Sequence, residues 1–144
     1  MRRFGKPPVK GVTYKVRHGT YAVIRRGRDL LVTEQAEPFP EFQLPGGGID
    51  PGESPIQALH REAYEETGWT IAIERRLGAY ANFTYMPEYD LWAQKVCHIY
   101  LCRPVIRKSA PVEPLHTAVW MTPETAIAQL GSDGDRAFVQ LLRL

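Results

Sequence analysis

Residues 47–69 read GGIDPGESPIQALHREAYEETGW, and this stretch decides the fold. Its centre is a helix with a marked start. Ser54 can accept a hydrogen bond from the first turn, Pro55 suits the first helical position, and Gln57 completes a Ser-x-x-Gln capping box. The helix is expected to stop near Thr67. Gly68 then supplies a left-handed residue past the end, and Trp69 can fold back onto the last turn. Ile56, Leu59 and Ala63 recur at spacings of three and four, which gives one apolar stripe to face a core.

The polar side of the same helix is unusual for a structural element. Glu62, Glu65 and Glu66 stand at i, i+3 and i+4 and so project from one face. Two carboxylates about 4 Å apart repel by roughly 4 kcal/mol at an effective dielectric of about 20. Arg61 can answer one of them, Glu65 four residues on, but one guanidinium does not neutralise three acids. A divalent cation does. Oxygen-only ligands favour a hard ion, so Mg²⁺ is expected, with Mn²⁺ as a substitute. Mg²⁺ is commonly completed by substrate phosphates, so an acidic helix face beside Gly46-Gly47-Gly48 suits a metal-bridged diphosphate. Taken alone, three glutamates describe a solvated acidic face better than a metal site.

The spacing separates these readings. Gly47, Glu53, Arg61, Glu62, Glu65, Glu66 and Gly68, with apolar Ala63 and Trp69, resemble position for position the signature of the Nudix family, G-x5-E-x7-R-E-U-x-E-E-x-G-U, where U is apolar. Tryptophan is bulkier than the usual aliphatic residue at the last position. The lead-in Leu44-Pro45-Gly46 also looks like the family's approach to this box. The resemblance implies an α/β fold, the Nudix-type α/β/α sandwich with a mixed central sheet. It further implies that Glu62, Glu65 and Glu66, with the Gly46 carbonyl, are metal ligands. Glu53 and Arg61 then anchor loop to helix, Arg61 also orienting a metal-binding carboxylate, and Gly47 and Gly48 approach the phosphates. The chemistry implied is attack of water on phosphorus in a nucleoside diphosphate derivative. Its general base is Glu62 within the box or Glu113 on the later segment Ala110-Pro111-Val112-Glu113-Pro114, with His116 nearby as a further candidate.

Outward from the box, Tyr21–Arg25 and Leu30–Thr33 read as strands of a hairpin turning at residues 26–29. A loop over 35–41 precedes a short strand at 42–44. Further strands are expected at 70–74, 77–86, 94–102 and 117–121. Thr122 and Pro123 restate the helix-start signal for a helix over 123–130. A break at 131–134 precedes a final helix over 135–143. Strands mixed with helices in one domain-sized chain imply helices packed on a mixed sheet.

The 144 residues suit one domain, placed at 19–144, preceded by a basic arm at 1–18 that is expected to be loosely ordered. That arm holds Arg2, Arg3, Lys6, Lys10, Lys15 and Arg17 and no acid, whereas the chain as a whole carries a net charge of +2. The arm could attract a polyphosphate or serve only as a solvated tail. Deleting residues 1–15 is therefore expected to spare the hydrolysis of small nucleotides. No apolar run approaches the length of a membrane span, and the basic N-terminus has no apolar stretch behind it to make a secretory signal. Cys97 and Cys102 fall on one strand and point to opposite faces, as reduced packing residues of a cytoplasmic protein.

For the substrate, Tyr89 and Trp92 are the aromatic candidates most exposed to a loop. Three readings differ in kind. One is a hydrolase of a small nucleotide: a nucleoside triphosphate, ADP-ribose or a dinucleoside polyphosphate. Another is a nucleotide-binding regulatory module without hydrolysis, against which every box acid is retained. The third is an RNA 5′-end pyrophosphohydrolase, for which the basic arm would supply backbone contacts. Family analogy adds an expected homodimer.

Overall fold

The computed structural model describes every residue except Pro38, Arg143 and Leu144. The elements run β1 (Arg2–Phe4), β2 (Lys15–Arg26), β3 (Asp29–Gln35), β4 (Glu41–Gln43), β5 (Gly46–Gly48), α1 (Pro55–Thr67), β6 (Trp69–Met86), β7 (Leu91–Arg107), β8 (His116–Met121), α2 (Pro123–Gln129) and α3 (Asp133–Leu141). Pro38 of the expected loop and Arg143 of the expected last helix lie outside the described residues.

The strands form one mixed sheet in the order β1-β6-β7-β2-β3-β4, with β5 also paired to β2 and β8 to β3. The β2–β3 hairpin turns where expected, with Arg26 opposite Asp29 and Gly27 at φ +60°. The two strands expected at 70–74 and 77–86 are one strand, β6. Register shifts near Trp69, Ile73 and Arg76 interrupt the alternation along it. Local periodicity breaks at such bulges while the ladder continues.

Helices cover both faces. On one, Leu59 and Ala63 of α1 pack against Ala22, Ile24, Leu31, Tyr100 and Cys102. On the other, Ala126 of α2 and Phe138 and Val139 of α3 pack against Val23, Val32, Cys97, Ile99 and Leu101. Both cysteines are free and buried, one in each core half, as alternation along β7 requires. Arg26 lies over Trp120, 4.0 Å from its centroid, and within 5.7 Å of Trp69, while the two indoles meet edge to face.

The loosely ordered arm is not what the structure shows at its ends. Arg2–Phe4 add to the sheet edge in parallel with Tyr80–Asn82, and residues 15–18 already belong to β2. A three-residue strand is too short to announce itself by alternation and is held here by pairing and by Phe4 packing edge-on to Tyr80.

Candidate active site

The start of α1 is built as its residues dictate. The Ser54 hydroxyl accepts from Gln57 N at 3.1 Å, the Gln57 carboxamide accepts from Ser54 N at 2.9 Å, and Pro55 opens the helix. At its end Gly68 adopts φ +77° and its N–H donates to the Tyr64 carbonyl. The buried stripe differs in part from expectation. Leu59 and Ala63 are buried, but Ile56 in the first turn stays 40% exposed. The stripe runs on instead through Glu66, only 6% exposed, because spacings of four and three from Leu59 through Ala63 lead there. One of the three acids is thus placed on the inner face of the helix.

Arg61 joins loop to helix. Its Nε and Nη2 donate to the two carboxylate oxygens of Glu53 at 2.7 and 2.8 Å, a paired fork. Nη1 reaches Glu62 at 3.0 Å and Glu65 at 3.3 Å, and Nη2 donates to the Gly48 carbonyl at 3.2 Å. Its principal partner is therefore Glu53, with Glu65 a secondary one. The Arg61 guanidinium, aided by the Asp50 N–H, holds the Glu53 carboxyl down at about 2.

Two glycines let the loop lie close to its neighbours, Gly47 against a carboxylate and Gly46 against β2. A Cβ on Gly47 would lie 2.6 Å from the Glu62 carboxyl group, and one on Gly46 would meet the Thr20 carbonyl at 2.1 Å, at φ +154°. The Gly46 N–H donates to Glu66 Oε1 at 2.9 Å. Burial nevertheless pushes Glu66 up to about 8, and Glu62, Glu113 and Glu65 add to the rise. Burial also raises Glu62, outweighing Arg61.

Glu113 joins the group because the helix end holds its loop. The Glu65 carbonyl, which has no partner within the helix, accepts from Val112 N and Glu113 N, both at 2.8 Å. Gly68 O likewise accepts from Lys108 N at 2.9 Å. His116 Nε2 lies 3.7 Å from Glu66 Oε2, and its Nδ1 is buried with no partner among the described residues. Burial lowers the His116 pKa.

Glu66, Gly46 and Gly47 open into a cleft of about 530 Å³. Its far end is lined by Phe4, Tyr80, Asn82, Lys95 and the start of α3 at Ser132–Asp135. Asp135 is buried there, accepting from the Tyr80 hydroxyl at 2.7 Å and from Leu44 N at 3.4 Å; burial pushes it up to about 6.

The structure thus gathers Gly46, Gly47, Arg61, Glu62, Glu65, Glu66, Glu113 and His116, with Gly48 at the margin. It leaves out Tyr89 and Trp92. Tyr89 is 58% exposed in a turn beyond β6, beneath the Arg17 guanidinium. Trp92 is an odd number of residues from Lys95 on β7, so it faces away from the cleft and packs on Tyr85 and Tyr14. Asn82 and Lys95 were not singled out from sequence. The available signal was Tyr80, Asn82 and Thr84 at every second position of a strand, polar where one face should be apolar.

The residues fit a divalent cation. Glu66 is a nearly buried carboxylate answered by the Gly46 N–H and by His116 at 3.7 Å rather than by a lysine or arginine, and Glu62, Glu65 and Glu113 lie close enough to raise it. Every donor of the expected set is a hard oxygen, which suits Mg²⁺. Among the described residues, no three side chains of His, Cys, Asp or Glu converge as a ready cage.

A family model described as the NUDIX domain matches residues 15–142. A Bacillus subtilis protein whose name carries the words 8-oxo-dGTP diphosphatase is 31% identical over 74 residues, 51% of this chain and 50% of that protein. An RNA pyrophosphohydrolase of Mesorhizobium japonicum is 58% identical over 40 residues, 23% of each chain. The chain therefore matches half or less of the length of these relatives. A NUDIX hydrolase from Nitrosomonas europaea superposes with TM-score 0.74 at 21% identity, covering 88% of this chain and 87% of that one. A MutT protein from Methanosarcina mazei Go1 gives 0.71 at 20% identity, covering 91% and 95%. At these identities the superpositions speak to the fold alone, which is the mixed α/β arrangement described above. With the family model spanning most of the chain and every fixed residue of the box in place on α1 and its loop, this protein belongs to the Nudix family.

Proposed function

We propose that the chain is a magnesium-dependent pyrophosphohydrolase that cleaves the diphosphate linkage of a nucleoside diphosphate derivative by attack of water on phosphorus. The observation that carries this reading is the buried Glu66, held by the Gly46 N–H at the head of a cleft of nucleotide size. Glu62, Glu65 and Glu66, with the Gly46 carbonyl, would hold Mg²⁺, and Mn²⁺ would substitute. When bound, Mg²⁺ supplies positive charge to the phosphate oxygens and promotes the attack of water.

The chain's own residues set the geometry. Arg61 fixes the Glu62 and Glu65 carboxylates while Glu53 fixes Arg61. Gly47 lets the phosphate-facing backbone lie against Glu62. Glu62 is the favoured base for the proton of the attacking water, and Glu113 is the second candidate. The substrate class is a nucleoside triphosphate, ADP-ribose or a dinucleoside polyphosphate, acted on in the cytoplasm.

RNA 5′ ends form a second reading with one observation in its favour. Phe4 and Gly5 line the cleft, so Arg2, Arg3 and Lys6 stand beside its mouth, where a longer chain would leave it.

Phosphate release is the test, measured with Mg²⁺ or with a chelator on nucleoside triphosphates, oxidised nucleotides, ADP-ribose, dinucleoside polyphosphates and triphosphorylated RNA. We expect metal-dependent turnover of one class, and a loss of orders of magnitude in Glu66→Gln with the fold retained. Silence across the panel with nucleotide binding intact would make the chain a ligand-binding module instead.

A further inference from the structure

The sheet face under α1 buries a hydroxyl that the fold leaves unsatisfied. Thr20 on β2 is fully buried, and its Oγ1 has no hydrogen-bond partner among the described residues. A buried hydroxyl without a partner is uncommon, and each instance calls for a reason.

The strand pairing identifies its neighbours. Thr20 stands directly opposite Gly47 of β5 and beside His98 of β7. Opposed residues of an antiparallel pair set their Cβ atoms roughly 5 Å apart on one face. Gly47 has no Cβ, and the place where one would be lies 2.6 Å from the Glu62 carboxyl carbon. The Glu62 carboxylate thus fills the side-chain position that faces Thr20 across the pair. On the other side both His98 nitrogens are engaged, Nδ1 by Arg76 at 3.3 Å and Nε2 by His18 at 3.0 Å.

The needs of the two groups match. The Glu62 side chain is only 14% exposed, and its one donor among the described residues is Arg61, on Oε1. That guanidinium is drawn chiefly to Glu53 and is shared with Glu65. A carboxylate has room for further donors, and a hydroxyl proton rotates to suit its acceptor.

We propose that Thr20 is a positioning residue whose hydroxyl donates to the Glu62 carboxylate in the working site. The bond forms by rotation of the Glu62 side chain towards β2, and nothing has to enter the buried layer. It fixes the orientation in which Glu62 binds the cation and takes the proton of the attacking water. The inference rests on the hydrolase reading for its kinetic arm only.

Three substitutions separate the hydroxyl from its surroundings. Thr20→Val keeps the shape and removes the hydroxyl. Thr20→Ser and Thr20→Ala both lose the methyl and differ in the hydroxyl alone. Kinetics are measured with Mg²⁺ on whichever nucleotide the wild type hydrolyses. We expect kcat to fall about tenfold in Thr20→Val, with the nucleotide KM unchanged, because groups that orient a metal-binding carboxylate carry effects of that size. Thr20→Ser should stay close to the wild type and Thr20→Ala should fall with Thr20→Val. The Ser and Ala pair therefore keeps the test intact if Thr20→Val fails to fold. Mn²⁺ affinity, read by electron paramagnetic resonance of the free ion without nucleotide, should weaken in the two variants that lack the hydroxyl.

A wild type silent on every nucleotide would sink the hydrolase reading, and the Mn²⁺ arm would then decide the role of Thr20. With an active wild type, an unchanged kcat in Thr20→Val or equal losses in Thr20→Ser and Thr20→Ala would overturn the assignment. With an inactive one, an unchanged Mn²⁺ affinity would do so.

Discussion

Asp135 shows how one residue can be charged by its sequence and governed by its surroundings. Its carboxylate accepts from the Tyr80 hydroxyl and the Leu44 N–H, both of which favour ionisation, yet burial outweighs them and raises it from 3.8 to about 6. An acid raised on folding leaves the folded protein with more bound protons than the unfolded chain, so stability falls as pH rises through that window. The midpoint of denaturant unfolding should therefore drop between pH 4 and about 6 more steeply in the wild type than in Asp135→Asn. Equal slopes would remove Asp135 as the cause. Sequence placed Asp135 in a helix start and no further, because its burial depends on Tyr80 and Leu44, far away along the chain. Glu53, Arg61, Glu62, Glu65 and Glu66 were legible because one helix and its leading loop carry them at fixed spacing. What that spacing did not reveal was that Glu66 continues the buried stripe while Ile56 leaves it.

At the scale of elements, α1 was readable end to end because its caps are written in adjacent residues. The end of the helix does more than stop. Gly68, at φ +77°, would bring a Cβ to 1.9 Å from the Ser109 carbonyl, so the residue allows the 108–113 segment to cross the helix end and present Glu113. Gly68→Ala should cost several kcal/mol, about 1–3 for the left-handed backbone plus the collision, and should lower turnover beyond what stability explains. Chemical denaturation and kcat measured on the folded fraction separate the two effects. A loss below about 0.5 kcal/mol would mean the crossing segment yields freely. Ser54→Ala is the milder control, at about 1 kcal/mol. β6 was read as two strands because bulges at Ile73 and Arg76 reset the side-chain alternation while the ladder ran on.

For the molecule as a whole, strand order escaped the sequence because pairing joins segments that no local pattern links. β2 runs parallel to β7 some eighty residues away, and that pairing puts Lys95 on the same sheet as the glycine loop. β1 is the plainest case. The arm was expected to be dispensable, yet Phe4 and Gly5 line the cleft and Phe4 packs on Tyr80. Removal of residues 1–5 should raise KM for nucleotides severalfold while the NUDIX core, matched from residue 15, still folds. Steady-state kinetics alongside thermal unfolding checks this. An unchanged KM would return the arm to the status of a tail. No helix among the described residues is long and apolar enough to cross a membrane.

The three tryptophans divide the molecule optically. Trp69 and Trp120 touch edge to face beneath the Arg26 guanidinium, whereas Trp92 stands 44% exposed near the distant β6–β7 turn. Two indoles in contact couple their electronic transitions, so the near-ultraviolet dichroism of the folded chain should carry a signal that vanishes in either Trp69→Phe or Trp120→Phe. The red-shifted, quencher-accessible part of the emission should come from Trp92. The protein thus carries one native chromophore pair reporting on the packing behind the acidic helix and a separate fluorophore reporting on the opposite end.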